Sequence, residues 1–400
     1  MCRWSRGEEK RDPTDQTDRT DRKKDCSNGG YNPLDMKSQN NFSLTVGVYE
    51  PGSGTRPIAV LMSGGVDSSV TAMLLRDEGW DVVGVTMKLP VLGGDPLRPC
   101  CGADAPSVCR QLGAPHFFLD VEASFLECVV APFREAYASG ATPSPCVDCN
   151  TYFKFGTVWD RIRKELQIKH LATGHYVRVV HEGERQALRR AADLSRDQSY
   201  FLYGLPRERL AYLECPLGER TKHEVRRLAG ASGLPVAEKA DSMELCFAGE
   251  GDYRDVLGGL PARPGPICDM AGNVLGQHQG IHLYTVGQRR GLPASTTGPL
   301  YVLKIVPETN TLVVGGRPMG MAHRVGARQI NVLVPERFAP GERLAGKIRS
   351  VGEPAACEVV RAEANEFEVR FDEPVFAPAP GQHLVLYGEA GTVVAGGTIV

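Results

Sequence analysis

A glycine- and serine-rich turn between a buried strand and a helix is the feature that most constrains how this chain can fold. The apolar run 58–62 has the length of a strand, and 69–77 has the pattern of a helix. The turn reads Ser63-Gly64-Gly65-Val66-Asp67-Ser68-Ser69. Glycines let a backbone approach a phosphate, and a helix N-terminus supplies N–H donors and a positive dipole end. The sequence therefore predicts a phosphate-binding loop, with a plain strand-to-helix turn capped by Ser or Asp as the alternative.

The same order of strand and helix recurs along the following residues. Further strands are predicted at 81–87, 116–119 and 170–173, and further helices at 105–112, 125–137 and 157–166. Short apolar strands that alternate with helices indicate a parallel sheet covered on both faces. We therefore expect an α/β domain with a doubly wound parallel sheet.

Changes in composition divide the chain into four parts. Residues 1–52 are polar and lack apolar periodicity, which predicts a disordered N-terminal tail. The α/β catalytic domain is predicted at 53–262, and a basic, glycine-rich central domain at 263–325. Residues 326–400 alternate apolar and polar side chains with period two, which predicts a small β-barrel.

Composition also limits the class of protein. The 400 residues are 42% hydrophobic and 24% charged, as in ordinary globular proteins. No apolar run approaches the ~20 residues that a membrane span requires, and the N-terminus lacks the pattern of a secretory signal. We therefore expect a cytoplasmic protein with no membrane partner. In that setting the 12 cysteines indicate reactive or metal-binding thiols rather than a disulfide framework.

The net charge of −2 does not indicate a nucleic-acid-binding protein, but two segments are locally basic. From Arg178 to Arg227, eleven Lys and Arg stand against eight Asp and Glu, a net of +3. From Ala262 to Ile305 the numbers are four and one, again a net of +3. Such patches can follow phosphates along a nucleic acid, although an ordinary solvated surface has the same composition.

Several further motifs follow the phosphate loop in a fixed order. They are Ser144-Pro145-Cys146-Val147-Asp148-Cys149-Asn150, Gly174-His175-Tyr176, Arg196-Asp197-Gln198, Glu244-Leu245-Cys246-Phe247, Tyr284-Thr285-Val286-Gly287-Gln288-Arg289-Arg290-Gly291 and Pro380-Gly381-Gln382. The phosphate loop itself lacks the Gly-Lys-Ser/Thr ending of a Walker loop and resembles that of the PP-loop ATP pyrophosphatases. Together, the motifs resemble the tRNA-specific 2-thiouridylase family over about residues 57 to 400.

That resemblance implies a reaction, its cofactors and its partners. The wobble uridine (position 34) of tRNAs of the Lys, Glu and Gln type is flipped out, its C2 oxygen is adenylated by ATP with Mg²⁺, and sulfur then displaces AMP. The family pattern makes Cys149 the nucleophile and Cys246 the persulfide carrier. Both roles suit thiolate chemistry, and the disulfide left behind would need external reduction. A cysteine desulfurase or a sulfur-relay protein would supply the sulfur, and a monomer is expected because its modules would together clasp one tRNA.

Other residues are assigned from the same resemblance. The expected ATP-binding residues are Leu61, Met62, Ser63, Gly64, Gly65, Val66, Asp67, Ser68, Met87 and Gly174. The expected tRNA-binding residues are Ser144, Pro145, Cys146, His175, Arg196, Asp197, Gln198, Arg349, Ser350 and Gln382. Asp67 would repel phosphate unless it holds Mg²⁺ or shapes the loop.

Cys146 departs from some members of the family, which have Asp at this position. Cys146, Cys149 and Cys246 could together hold an iron–sulfur cluster, but we expect the persulfide route. Three thiolates could also bind zinc, although structural zinc normally takes four ligands. Cys100, Cys101 and Cys109 could bind a metal as a second group, and we expect them to be incidental.

Two other functions remain open at this point. Another PP-loop ligase or amidase would share the ATP loop but would need neither the paired cysteines nor a basic RNA-facing module. A catalytically silent tRNA-binding protein would share the fold, although the intact loop and both cysteine motifs argue against loss of activity.

Overall fold

The computed structural model describes residues 42–52, 54–90, 92, 102–182, 185–240, 245–248, 253–260, 262–296 and 298–400. Residues 1–41 of the predicted tail lie outside this range. Within it, the prediction of a disordered tail is wrong for Phe42–Val46, which forms strand β1. β1 pairs with another strand through backbone hydrogen bonds and buries Phe42, which offsets the entropy of ordering these residues.

A six-stranded sheet forms the centre of the catalytic domain. Its strands are β1, β2 (Pro57–Leu61), β3 (Asp81–Lys88), β4 (His116–Asp120), β5 (His170–Ala172) and a later strand (Leu213–Glu214), which is β8 in chain order. The order across the sheet is β1-β4-β3-β2-β5-β8, with only β1 antiparallel. The direction of chain progression changes between β2 and β5, which places a ligand crevice beyond their carboxyl ends.

Both faces of this sheet are buried, as the continuous apolar strands predicted. Along β2, Ala59 and Leu61 pack into one hydrophobic core, and Ile58 and Val60 pack into the core on the other face. The α/β doubly wound fold is therefore confirmed. In the part of the chain that the structure describes, no helix combines the length and apolar character needed to cross a bilayer.

The helices cover the two faces and carry the functional loops. They are α1 (Val66–Asp77), α2 (Ala105–Leu112), α3 (Glu122–Phe125), α4 (Ala131–Ala138), α5 (Pro145–Asp148), α6 (Trp159–Arg161), α7 (Lys222–Ala231) and α8 (Tyr253–Val256). Wider π-helical turns at Leu126–Val130, Cys149–Val158 and Ile162–Leu166 join α3 to α4, join α5 to α6 and extend α6. The elements that were not predicted include α7 and the hairpin of β6 (Val177–Glu182) and β7 (Arg185–Arg190).

Two β modules complete the fold. The central domain is a sheet of β9 (Gly265–Cys268), β10 (Val274–His278), β11 (Tyr301–Val306) and β12 (Thr311–Gly315). A closed barrel follows, formed by β13 (Met321–Val332), β14 (Arg343–Lys347), β15 (Ala355–Ala362), β16 (Glu366–Phe376), β17 (His383–Tyr387) and β18 (Val393–Ile399). The predicted barrel is confirmed, although its first strand begins at Met321 rather than at 326.

Candidate active site

The phosphate loop occupies the turn between β2 and α1, at the crevice that the strand order predicts. Gly64 has a φ of +70°, and a Cβ there would lie 2.9 Å from the Cα of Gly102, so only glycine fits. The Ser63 N–H donates to the Ser68 hydroxyl at 3.2 Å, and that hydroxyl donates to the Gly65 carbonyl at 3.2 Å. Among the described residues no side chain caps α1, so the N–H groups of its first turn remain available to an anion.

Two lysines that sequence reasoning missed neutralise the acidic groups around this loop. The Lys222 ammonium lies 2.8 Å from both carboxylate oxygens of Asp67, and the Tyr176 hydroxyl donates to the same carboxylate at 2.8 Å. Lys239 donates to the Gly64 carbonyl at 2.9 Å and pairs with Asp104 at 2.6 Å. Asp67 therefore shapes the loop through its partners, and its charge is compensated before phosphate arrives.

The position of Lys222 is set by local sequence. The Thr221 hydroxyl accepts from the Glu224 N–H at 3.3 Å, and the Thr221 N–H donates to the Glu224 carboxylate at 2.7 Å. This capping box fixes the start of α7 and so places Lys222 at its first residue. The Thr-Lys-His-Glu string was the available sequence signal, but it indicates a helix start and not a phosphate site.

We expect Lys222→Met to raise the KM for ATP by about tenfold or more, because the Asp67 carboxylate would then face the phosphates uncompensated. Pyrophosphate release as a function of ATP concentration measures this change. The double variant Lys222→Met with Asp67→Asn is the matched control, and it should recover most of the lost affinity. No recovery would show that Lys222 acts by some means other than pairing with Asp67.

The turn after β5 packs directly on the phosphate loop. A Cβ on Gly174 would lie 2.9 Å from the Asp67 carbonyl carbon and 2.9 Å from the Ser68 nitrogen, so only hydrogen fits between the two backbones. Gly174 thus lies beside the expected nucleotide site. Three further residues expected at the ATP site have side chains that pack in the protein interior. Leu61 and Met62 are buried in the two cores, and Met87 is partly buried against the core that contains Leu61. Any contact of Leu61 or Met62 with ATP would therefore come from the backbone.

The two cysteines of the first motif lie in one helical segment with different exposure. Cys146 is within α5 and exposed, whereas Cys149 begins the π-helical turn and is buried. Phe153 and Phe155 of the same turn are fully buried and anchor it in the core. Cys246, in the short described stretch 245–248, is exposed beside the buried Phe247. Cys149 is therefore buried and Cys246 exposed, and the roles of nucleophile and persulfide carrier that the resemblance assigns them stay predictions.

Lys154 interacts electrostatically with all three thiols, a role that no sequence pattern indicates. Burial raises the pKa of the Cys149 thiol to about 11, and the nearby Lys154 charge opposes that rise. Burial alone would lower the pKa of Lys154, but its interactions with Cys149, Cys246 and Cys146 outweigh burial and raise it. The ammonium is therefore the group that stabilises a thiolate in this site.

His175 connects this segment with the turn after β5. Its ring centroid lies 6.0 Å from that of Phe155, and its Nδ1 lies 2.8 Å from the Thr173 hydroxyl. Burial, together with the charge of Lys154, lowers the pKa of His175 to about 3. At neutral pH His175 is consequently neutral and offers hydrogen bonding without charge.

We expect Lys154→Gln to slow alkylation of Cys149 by iodoacetamide at every pH below about 11, because the pKa of the thiol rises and the thiolate is the reactive form. The thiolate fraction falls about tenfold for each unit of that rise. Mass spectrometry of peptides after timed labelling across a pH series distinguishes Cys149 from Cys146. Lys164→Gln, a change of an exposed lysine, is the control and should leave the rate unchanged. Equal rates in both variants would contradict this role of Lys154.

The expected metal groups fit the site unequally. Asp67 is the carboxylate at the phosphate loop, but both of its oxygens lie 2.8 Å from the Lys222 ammonium, so it would hold Mg²⁺ together with substrate phosphates only if that ion pair opened. In contrast, among the described residues no three Cys, His, Asp or Glu side chains converge closely enough to hold a metal ion. Cys146, Cys149 and Cys246 as placed therefore do not form a ready site for iron–sulfur or zinc. Cys109 is buried in α2, and Cys100 and Cys101 lie outside the described residues.

The Arg196-Asp197-Gln198 motif holds a loop together. The side chain of Asp197 is almost fully buried and accepts hydrogen bonds from Arg190 (3.0 Å), from the Ala191 N–H (3.1 Å) and from the Ser199 N–H (3.2 Å). Gln198 accepts from the Tyr176 N–H at 2.9 Å. Arg196 is exposed. Arg196 is thus the member of this motif whose position allows contact with a ligand. The side chains of Asp197 and Gln198 instead accept hydrogen bonds from backbone N–H groups and hold the loop in place.

The barrel reaches the cysteine motif through Gln382. Its amide nitrogen donates to the Thr142 carbonyl at 3.0 Å and to the Pro143 carbonyl at 3.1 Å, directly before the buried residues Ser144 and Pro145. In the structure Gln382 therefore positions the segment before the cysteine motif, and its contact with tRNA stays a prediction. Arg349 and Ser350 lie in the turn after β14, where the Arg349 guanidinium donates to the Phe376 carbonyl.

Comparisons with known proteins match each of the three modules from residue 56 onward. Residues 56–250 match the family model described as a tRNA methyl transferase HUP domain. Residues 256–316 match a tRNA methyl transferase PRC-barrel domain, and residues 323–400 match an aminomethyltransferase beta-barrel domain. The three matches follow one another in the order of the catalytic, central and barrel modules.

Three relatives cover most of the chain. A protein of Syntrophus aciditrophicus named tRNA-specific 2-thiouridylase MnmA 1 is 43% identical over 348 residues, which are 86% of this chain and 92% of the relative. Proteins of Methylorubrum populi and Methylorubrum extorquens named tRNA-specific 2-thiouridylase MnmA are 46% and 47% identical, each over 86% of this chain and 93% of the relative. At this identity and coverage, the chain belongs to the tRNA-specific 2-thiouridylase family.

Proposed function

We propose that this protein is a tRNA-uridine 2-sulfurtransferase that uses ATP to replace the C2 oxygen of the wobble uridine (position 34) with sulfur. The main observation in support is that two consecutive residues, Gly174 and His175, contact the phosphate loop and the cysteine segment respectively. Gly174 packs on the phosphate loop, and the next residue, His175, packs against the segment that bears Cys149. This adjacency of the phosphate loop and the cysteine segment supports the proposal, because a two-step oxygen-for-sulfur exchange requires the adenylation and sulfur-transfer sites to be close together.

The first step joins tRNA and nucleotide. The uridine C2 oxygen attacks the α-phosphorus of ATP, a C2–O–P linkage forms, and the bond to pyrophosphate breaks. The first-turn N–H groups of α1, with Lys239 near Gly64, stabilise the charge that gathers on the phosphates. When Mg²⁺ is bound it screens the phosphate charge, and Asp67 is the carboxylate that would hold it.

The second step exchanges oxygen for sulfur. The Cys149 thiolate attacks the Cys246 sulfur of a persulfide, a disulfide forms between the two cysteines, and hydrosulfide is released. Hydrosulfide attacks C2, the C2–O bond breaks, and AMP leaves with the former carbonyl oxygen. An external thiol reduces the disulfide by exchange. Lys154 supports this step because its charge favours the thiolate of Cys149.

The proposal implies particular partners. tRNAs of the Lys, Glu and Gln type would be substrates, and a cysteine desulfurase or a relay protein would load the persulfide on the exposed Cys246. The enzyme would act as a monomer in the cytoplasm, where ATP and these tRNAs are available. A persulfide on Cys246 suits this supply because an exposed thiol can reach a protein donor.

Thiolation in vitro tests the proposal. The protein is incubated with ATP, a sulfur donor and unmodified tRNA for Lys, Glu or Gln, and thiolated tRNA is detected by its retarded migration in a mercury-containing gel. We expect each of the three tRNAs to show retarded migration after incubation with ATP, and none to show it when ATP is left out. Pyrophosphate release without tRNA would favour another PP-loop ligase or amidase, and tRNA binding without pyrophosphate release would favour a silent binding protein.

A further inference from the structure

Two cysteines separated by two residues lie in the segment Cys146-Val147-Asp148-Cys149, and both are thiols in the structure. This Cys-x-x-Cys spacing is the one that thiol–disulfide redox motifs use in α/β proteins. The proposed reaction uses only Cys149 of this pair, which forms a disulfide with Cys246. Cys146 is therefore a second thiol close to the reacting sulfur, and it has no redox role in that reaction.

The backbone holds Cys146 and Cys149 on the same face of one helical turn. The Cys149 N–H donates to the carbonyls of both Pro145 and Cys146. The bond to Cys146 is of the 3₁₀ type, in which the side chains at positions i and i+3 are aligned. Such side chains have Cβ atoms about 5–6 Å apart, whereas a disulfide needs about 3.5–4.5 Å. A closing movement of about 1–2 Å would thus allow the two sulfurs to bond.

The burial of Cys149 limits which thiols can reach its sulfur. Cys149 is 6% exposed, so a protein reductant has little access to it. A disulfide holds its two sulfur atoms about 2 Å apart, and Cys246 must therefore bring its own sulfur to this buried position when it bonds to Cys149. Cys146 differs because it is exposed and belongs to the same helical turn as Cys149. It can therefore meet both the Cys149 sulfur and a reductant from solution.

The disulfide also blocks the other task of Cys246. In the proposed reaction Cys246 accepts sulfur from a donor protein, and it has no thiol to load while it is bonded to Cys149. Exchange with another thiol of the same chain would release Cys246 before any reductant arrives. A thiol held in the adjacent helical position acts at an effective concentration far above that of thiols in solution.

The charge of Lys154 suits such an exchange. Interactions with Cys149, Cys246 and Cys146 raise the pKa of Lys154 against the effect of burial, so the ammonium is close enough to interact with all three thiols. In a thiol–disulfide exchange the negative charge passes from the attacking sulfur to the leaving sulfur. With Cys146 as the attacking group and Cys246 as the leaving group, that charge stays near the same ammonium throughout the step.

We propose that Cys146 is the resolving cysteine of this enzyme. Its thiolate attacks the Cys149 sulfur of the Cys149–Cys246 disulfide, a Cys146–Cys149 disulfide forms, and Cys246 leaves as a thiolate that takes up the proton lost by Cys146. A dithiol reductant then attacks the Cys146 sulfur, restores both thiols and is itself oxidised to a disulfide. This inference rests on the proposed function and deepens it. Relatives with Asp at this position lack the group that it requires.

The position of the disulfide after one turnover tests the inference. Cys246 is first loaded with a persulfide by a cysteine desulfurase and free cysteine. ATP and unmodified tRNA are then added without reductant, and the reaction is stopped with iodoacetamide. Cys146 and Cys149 share one tryptic peptide, between Arg134 and Lys154. Wild-type protein should give this peptide with two hydrogens missing and an alkylated Cys246, whereas Cys146→Ser should give two peptides joined through Cys149 and Cys246.

The rate of later turnovers gives a second readout. Thioredoxin, its reductase and NADPH serve as the dithiol reductant, and the rate of later turnovers is divided by that of the first. We expect this ratio to fall about tenfold or more in Cys146→Ser and in Cys146→Asp, because the reductant must then reach a buried disulfide. Cys146→Asp places at this position the residue that some relatives have. Cys268→Ser is the control and should keep the wild-type ratio, and an unchanged Tm verifies that each variant is folded.

The other outcomes are equally decisive. A Cys149–Cys246 disulfide that persists in wild-type protein, or an unchanged ratio in both Cys146 variants, would overturn the inference and leave the proposed function intact. Iron and acid-labile sulfide bound to anaerobically purified wild type but absent from Cys146→Ser would also overturn it, and would make Cys146 a cluster ligand. Loaded protein that forms the Cys146–Cys149 disulfide and releases hydrosulfide, yet never thiolates tRNA, would support the exchange and contradict the proposed function.

Discussion

Replacement of Cys149 by serine is expected to abolish thiolation of tRNA, with a loss on the order of 10³ or more, the scale seen when a covalent nucleophile is removed. The hydroxyl has the size of the thiol but cannot attack a persulfide at neutral pH. Release of pyrophosphate in the presence of tRNA should continue for about one turnover, because adenylation precedes sulfur transfer. Mercury-gel retardation and pyrophosphate release on the same samples measure both steps.

The control for this prediction is another cysteine of the same chain. Cys268 lies in β9 of the central domain, and Cys268→Ser should leave both steps unchanged. Cys246→Ser should reproduce the loss, since it removes the sulfur carrier. Cys146→Ser reports whether the exposed neighbour takes part. Thiolation at the wild-type rate by the Cys149 variant would contradict the assignment of the nucleophile.

A large loss of activity is also expected when a methyl group is added at Gly174 by the change to alanine. Gly174→Ala would place a carbon 2.9 Å from backbone atoms of Asp67 and Ser68, so the start of α1 must move. A displacement of about 1 Å in an aligned site can cost on the order of 10² in rate. We expect kcat/KM for ATP-dependent pyrophosphate release to fall by about that factor, whereas binding of tRNA alone is retained.

Gly230 provides the matched comparison. It lies in α7, and a Cβ there meets nothing within 4 Å. Gly230→Ala should therefore keep full activity and raise the free energy of unfolding by up to about 1 kcal/mol, because alanine is the better helix former. If the two variants had equal kcat/KM, the packing of Gly174 on the phosphate loop would have no functional importance.

The sequence predicts those parts of the fold that depend on local patterns. The apolar run before Ser63, the adjacent glycines and the period-two alternation after residue 326 each indicate their structure directly, and the strand, loop and barrel are present. β1 was missed because five residues next to a long polar segment carry a weak signal, and its pairing with β4 is a tertiary contact.

The catalytic environment was less predictable than the motifs. Lys222 pairs with Asp67 across 155 positions of sequence, and Lys239 reaches Gly64 across 175. A single lysine has no periodicity or spacing that would reveal such a partner. Lys154 is five residues from Cys149, but its role depends on burial, which composition does not report. The motif likewise gave no sign that the Asp197 side chain, which was predicted to contact tRNA, is almost fully buried and paired with Arg190.

The fate of the uridine oxygen shows whether the C2 oxygen is adenylated. Unmodified tRNA is prepared with heavy oxygen at C2 of the target uridine and incubated with the protein, ATP and a sulfur donor until thiolation is complete. We expect mass spectrometry to find the heavy oxygen in AMP, in equal amount to the 2-thiouridine formed, because C2–O–P formation precedes C2–O cleavage. Thiolated tRNA with the heavy oxygen in water or pyrophosphate, and none in AMP, would contradict adenylation of the C2 oxygen.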